Sequence, residues 1–184
     1  MWQYSQIADC ILPNRKGECS MIIQIDDYTV DVDLDATKAY SRTHCLCDCQ
    51  DDRNFYAQAR ERFPKLTQFL SRFGLMIERP DEIGSYAEEG EINYHFVAYT
   101  VVGKVLKSGR YEIDMFDGNT PLNIVINDWG VPNEQKTTEY FTVTVYNIHL
   151  PWVLDEPYPE EEAQPPESFI SRLRNWICRR RTFS

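Results

Sequence analysis

The stretch Ile92–Leu106 reads INYHFVAYTVVGKVL. A strand with one wet face alternates apolar and polar side chains. This one is apolar on both faces, the pattern of a strand covered on two sides in the middle of a sheet. Gly103 interrupts the run and predicts a bulge or sharp bend. A central strand needs neighbours, and the sequence on either side supplies them.

Downstream, Lys107–Arg110 (KSGR) reads as a turn and Tyr111–Phe116 (YEIDMF) as the strand paired with the central one. Pro121–Asp128 (PLNIVIND) is a further strand, and Trp129–Thr138 a loop. Glu139–Val153 (EYFTVTVYNIHLPWV) is a long strand ended by Pro151. Upstream, the acidic stretch Glu78–Gly90 reads as a connecting loop.

Met21–Asp35 (MIIQIDDYTVDVDLD) carries period-two alternation, with Tyr28, Val30, Val32 and Leu34 on one face. It predicts a hairpin turning at Asp26–Asp27. Asp51–Gly74 has apolar residues at helical spacing: Phe55, Ala59, Phe63, Leu66, Phe69, Leu70 and Phe73. Asp51 or Asp52 suits its N-cap and Gly74 its end. Pro64 in the middle predicts a kink, or two abutting helices with Pro64 in the first turn of the second.

The expected fold class is α+β. It is a mainly antiparallel curved β-sheet or small partly open barrel, with a kinked helix packed on it and a C-terminal amphipathic helix. The expected organisation is one domain over residues 1–154, an acidic Pro-rich linker over 155–167 (beginning DEPYPEEEAQPP), and a basic tail helix over 168–184. No internal repeat occurs at solenoid periods.

With 184 residues and 42% hydrophobic composition, the chain is long enough to bury one core. Mean hydropathy is −0.50, and no apolar run approaches the roughly 20 residues of a membrane span. The start, MWQYSQIADCILPNRKG, lacks a cationic segment followed by an apolar core. The expected location is therefore the cytoplasm, with the six cysteines as reduced thiols. Net charge is −10. Residues 168–184 hold five arginines and no acid, so residues 1–167 carry −15. Such a body repels nucleic acid and suits a basic protein partner, while the arginine-rich tail suits docking on that acidic body, an anionic membrane surface, or a partner protein or nucleic acid.

Three features carry candidate chemistry. Thr43–Asp52 (THCLCDCQDD) holds Cys45, Cys47 and Cys49 beside His44. On a flat strand these thiols would lie about 7 Å apart, too far to share one ion. A loop curling round the ion could use all three. Zn²⁺ is the metal such ligands suit, although C-x-C-x-C is not the usual C-x₂₋₄-C knuckle with a second pair downstream. A fourth ligand would come from Cys10, Cys19 or Cys178. The bland reading is three reduced, partly buried thiols before a helix and no cofactor. A redox thiol activated by the helix N-terminus is a third reading.

Asp31, Asp33 and Asp35 resemble the start of an EF-hand loop, but Ala36 and Arg42 stand at its sixth and twelfth positions, where Gly and Glu belong. They read instead as an acidic strand face, a candidate interaction surface. Arg172, Arg179, Arg180 and Arg181, with Arg174, form the corresponding basic surface of the tail. The aromatic group Trp129, Tyr140, Phe141, Tyr146 and Trp152 reads as core or the lining of a small-ligand pocket. His95 and His149 read as structural histidines, and no G-x-S-x-G, H-E-x-x-H, P-loop or G-x-G-x-x-G occurs.

The leading expectation is thus a non-enzymatic cytoplasmic acidic binding protein of inhibitor or immunity type. The alternatives are a metal-containing protein using Cys45, Cys47 and Cys49, and an enzyme or small-ligand binder with a pocket in the β-rich half.

Overall fold

The computed structural model describes residues 20–128 and 139–159. Eight strands and three helices follow in the order β1 (Ser20–Ile25), β2 (Tyr28–Asp33), α1 (Leu34–Thr43), α2 (Gln50–Arg62), α3 (Pro64–Ser71), β3 (Glu82–Glu88), β4 (Glu91–Lys107), β5 (Ile113–Asp117), β6 (Thr120–Asn127), β7 (Tyr140–Tyr146) and β8 (Ile148–Pro151). All strand pairs are antiparallel. The path through the sheet is β1-β2-β4-β7-β6-β5, with β3 and β8 also paired to β4. Its ends, β1 and β5, are not paired with each other among the described residues, so the sheet is open. The class is α+β, as the sequence predicts.

The long central strand β4 is the spine. One of its edges carries β3 and then β2, the other β8 and then β7. Residues 97–102 are buried on both parities, as their composition predicts. Val97, Tyr99 and Val101 join the core with Phe141, Val143 and Val145 of β7. β5 does not pair with β4, contrary to the reading of Tyr111–Phe116 as its partner. It pairs with β6, and β7 takes the place beside β4. A strand buried on both faces needs a neighbour of the same kind. In β7 the run Phe141–Val145 is buried throughout, whereas β5 buries only Ile113 and Asp117.

Two elements differ from the sequence reading. The strand expected to run to Asp35 ends at Asp33, because the Asp33 side chain accepts the Ala36 N–H at 2.9 Å and starts α1. The stretch read as a loop over 78–90 contains β3. Its register with β4 shifts between Gly84 and Ser85, where His95 is the extra residue on β4. A Cβ at residue 84 would meet the His95 and Phe96 side chains, so glycine admits the bulge.

α1 fills a gap in the sheet. Between its contacts with β3 and β2, β4 has two amides with no strand partner. The Thr100 N–H donates to Asp81 Oδ2 at 2.7 Å and the Val102 N–H to Thr37 Oγ1 at 3.0 Å. Thr37 in turn donates to the Asp33 carbonyl.

The amphipathic stretch divides at Phe63, with Pro64 at the first position of α3. Phe63 offers no side-chain cap, so Asp117 supplies one, accepting the Leu66 N–H at 2.9 Å. α3 ends in a turn with Gly74 at φ +81°, where the Leu75 N–H reaches the Leu70 carbonyl. Phe55, Leu66, Leu70 and Phe73 are fully buried against the sheet. Each such side chain contributes about 1.5–3 kcal/mol over leaving it in water. No helix among the described residues is long and apolar enough to cross a membrane. Residues 160–184, including the arginines of the expected tail helix, and Cys10 and Cys19 lie outside the described residues.

Candidate functional site

The densest chemistry lies where the cysteine stretch feeds α2. Cys45, Cys47 and Cys49 are exposed thiols in no disulfide. Residues 45–48 have no regular structure, and Cys49 takes the N-cap position of α2. The helix therefore starts slightly earlier than the expected Asp51 or Asp52 cap. The Cys49 N–H points back at Cys47 Sγ, 3.4 Å away. This curl breaks the flat-strand geometry and brings two of the three thiols together. Asp52, three residues on in the first turn of α2, completes the group. One ligand atom each from Cys47, Cys49 and Asp52 all lie within 4.8 Å of one another. Cys45 does not belong to the group, and neither does any histidine.

The surroundings fix this arrangement. Asp52 is 6% exposed. The Tyr56 hydroxyl, one turn along, lies 3.4 Å from both Asp52 Oδ2 and the Cys47 carbonyl oxygen. Asp51 Oδ2 accepts from the Ser85 hydroxyl at 2.8 Å, and the Asp51 carbonyl from the Tyr94 hydroxyl at 2.8 Å, tying the helix start to the sheet. Arg53 points away from Asp52. It donates to Glu156 at 2.9 Å and lies 3.5 Å from Asp48. Burial, reinforced by charge on Cys47, pushes the Asp52 carboxyl up to about 8. The Cys49 thiol is pushed up too, first by its hydrogen bond with Cys47 and then by burial. Burial does the same to the Tyr56 phenol. Arg53 and then Gln50 hold Glu156 below the usual carboxylate range.

Five residues of the expected linker are described, and they are fastened. Besides the Arg53 contact, the Glu156 carbonyl accepts from Trp152 Nε1 and the Tyr158 hydroxyl donates to the Glu91 carbonyl, each at 2.8 Å.

The acidic triplet does not share one face. Asp31 is half-buried in β2, in register with Lys104; Asp33 caps α1; Asp35 alone is exposed, in the first turn of α1. A second acidic group, missed by the sequence reading, stands at the β3–β4 turn. Glu89 and Gly90 both have positive φ, +49° and +86°, the geometry of a tight two-residue hairpin turn. Glu88, Glu89 and Glu91 are exposed there and line a hollow with His149. Asn93 holds Glu88 at 3.2 Å. The dipeptide Glu89-Gly90 between two half-apolar runs was the available signal.

The histidines are spread out. Each ring nitrogen of His44 faces a carbonyl oxygen, Tyr40 or Pro80, and its ring stacks on Tyr40. His95 is at the bulge and His149 is exposed on β8. Of the aromatic group, Phe141 is in the core, Tyr140 and Tyr146 lie on the other parity of β7, and Trp152 packs against Tyr158. Trp129 is outside the described residues. A second hollow, beside Lys104 and Glu139, is lined mostly by polar groups. Comparison with protein families, curated proteins and solved structures found no match to this chain.

Proposed function

We propose that this chain is a non-enzymatic acidic binding module, of the inhibitor or immunity kind, whose partner is a protein with a basic surface. The observation that supports it is charge placed on an exposed projection. The described residues contain 22 Asp and Glu against 11 Lys and Arg, and three of these carboxylates crowd the β3–β4 turn. A tight turn on a paired hairpin is a rigid mount, so little order has to be created when it docks. Complementary charge would raise the rate of encounter and select against acidic partners. The two hollows are lined mainly by carboxylates and other polar groups, which favours a macromolecular partner over an apolar small ligand.

The test is capture of partners from the source cell on the full chain, with identification by mass spectrometry. The same capture is run on a Glu88→Gln, Glu89→Gln, Glu91→Gln variant. The reading expects a basic protein that is retained by the parent chain and lost from the variant. A partner that is acidic or neutral, or that the variant retains equally, contradicts it.

A further inference from the structure

We propose that Cys47, Cys49 and Asp52 form a binding site for one thiophilic divalent cation of the Zn²⁺ class, independent of the acidic binding surface. The geometry differs from the site expected from sequence, because Asp52 replaces Cys45.

Four observations meet here. First, the three ligand atoms already converge to within 4.8 Å. Around a tetrahedral Zn²⁺, with Zn–S near 2.3 Å and Zn–O near 2.0–2.2 Å, ligand atoms stand about 3.5–3.8 Å apart. Closure thus needs movements of about an ångström, within reach of side-chain rotation in an exposed thiol pair. Second, Asp52 is buried, and among the described residues no basic side chain lies within ion-pair distance of its carboxylate. Arg53, the nearest candidate along the chain, is turned to Glu156 and Asp48. Third, Tyr56 stands behind the carboxylate and beside the Cys47 carbonyl, where it orients the ligand that would face the ion. Fourth, both thiols are open to solvent, so the ion has a way in.

Ligand chemistry chooses the metal class. Two thiolates exclude Mg²⁺ and Ca²⁺, which take oxygen ligands, and favour Zn²⁺ or a metal of similar softness. Three protein ligands leave a fourth position for water or another group. On binding, each thiol and the Asp52 carboxyl give their protons to solvent or buffer as the bonds to the metal form, and no oxidant is involved.

The experiment uses the full chain, reduced and stripped with chelator. It is titrated with Co²⁺ and then Zn²⁺, read by thiolate-to-cobalt charge transfer and by competition with a chromophoric chelator. Alkylation by iodoacetamide, mapped by peptide mass, is compared with and without Zn²⁺. The expected result is one equivalent bound, with Cys47 and Cys49 protected and Cys45 still reactive. Cys47→Ser and Cys49→Ser should each lower affinity at least about a hundredfold and Asp52→Asn about tenfold to a hundredfold. Cys45→Ser should leave affinity unchanged. Absence of a charge-transfer band, equal protection of all three thiols, or a loss on Cys45→Ser equal to that on Cys47→Ser would overturn the proposal. The alkylation arm needs only the unaltered chain, so a variant that fails to fold does not decide the outcome.

Discussion

The Val102 amide of the central strand donates to the Thr37 hydroxyl of α1 at 3.0 Å, and both residues are buried. A helix hydroxyl here does what a strand carbonyl does elsewhere in the sheet. Thr37→Val keeps the shape and removes the acceptor, leaving a buried N–H alone, which costs about 1–3 kcal/mol. Thr37→Ser should cost less, because it keeps the oxygen. Urea unfolding of the two variants checks this, with Val below Ser in midpoint and the slope unchanged.

Asn54 is another buried polar link. Its amide donates to the Tyr94 hydroxyl and the Pro151 carbonyl, and its oxygen accepts the Val153 N–H at 2.9 Å. Asn54→Ala strands the Val153 amide and opens a void, so a loss of about 2–3 kcal/mol is expected. Hydrogen exchange at Val153 should accelerate in the same variant. Unchanged exchange there would show that the strap after β8 does not depend on α2.

Glu89 holds φ +49° at the hairpin turn, a conformation that disfavours side chains other than Asn and Gly. Glu89→Gly should therefore raise stability by about 0.5–1 kcal/mol, and weaken binding to a basic partner. Thermal melting and a binding assay on the same variant test both halves. Stability that falls would mean that the glutamate side chain holds the turn in place.

In the metal-free chain the Asp52 carboxyl sits at about 8 against the usual 3.8. The unfolded chain releases this proton from about pH 4 upward, while the folded chain keeps it until about pH 8. Over that window the unfolded state binds fewer protons, so stability falls as pH rises. Asp52→Asn should remove this component. Its gain over the parent chain should be absent near pH 4 and largest above pH 8, read by urea unfolding at each pH in chelator.

The central strand was legible because its burial on both faces is written in composition alone. The β1–β2 hairpin and the division near Pro64 were legible because period and proline geometry are local. α1 was not, because its buried face is polar: Thr37 and Ser41 are buried with Tyr40, and an apolar-period search passes over such a helix. β3 was missed because its core-facing positions, Ile83, Ser85 and Ala87, hold one large apolar side chain only, and its glutamates look like loop. Strand order depends on which of two strands has the composition to sit beside β4, a comparison between distant segments. The Cys47–Cys49–Asp52 group was half legible. The thiols stand out, but Asp52 joins them only once α2 is known to begin at Gln50, which turns a three-residue spacing into one helical turn.

The most direct test of the binding reading is the affinity of the captured partner as a function of ionic strength. Opposed charges screened over a Debye length of about 10 Å at 0.1 M salt should lose at least about tenfold in affinity between 50 and 500 mM NaCl. The loss should shrink in the Glu88→Gln, Glu89→Gln, Glu91→Gln variant. An affinity that stays constant across that range, or a salt dependence that the variant leaves unchanged, would contradict the account.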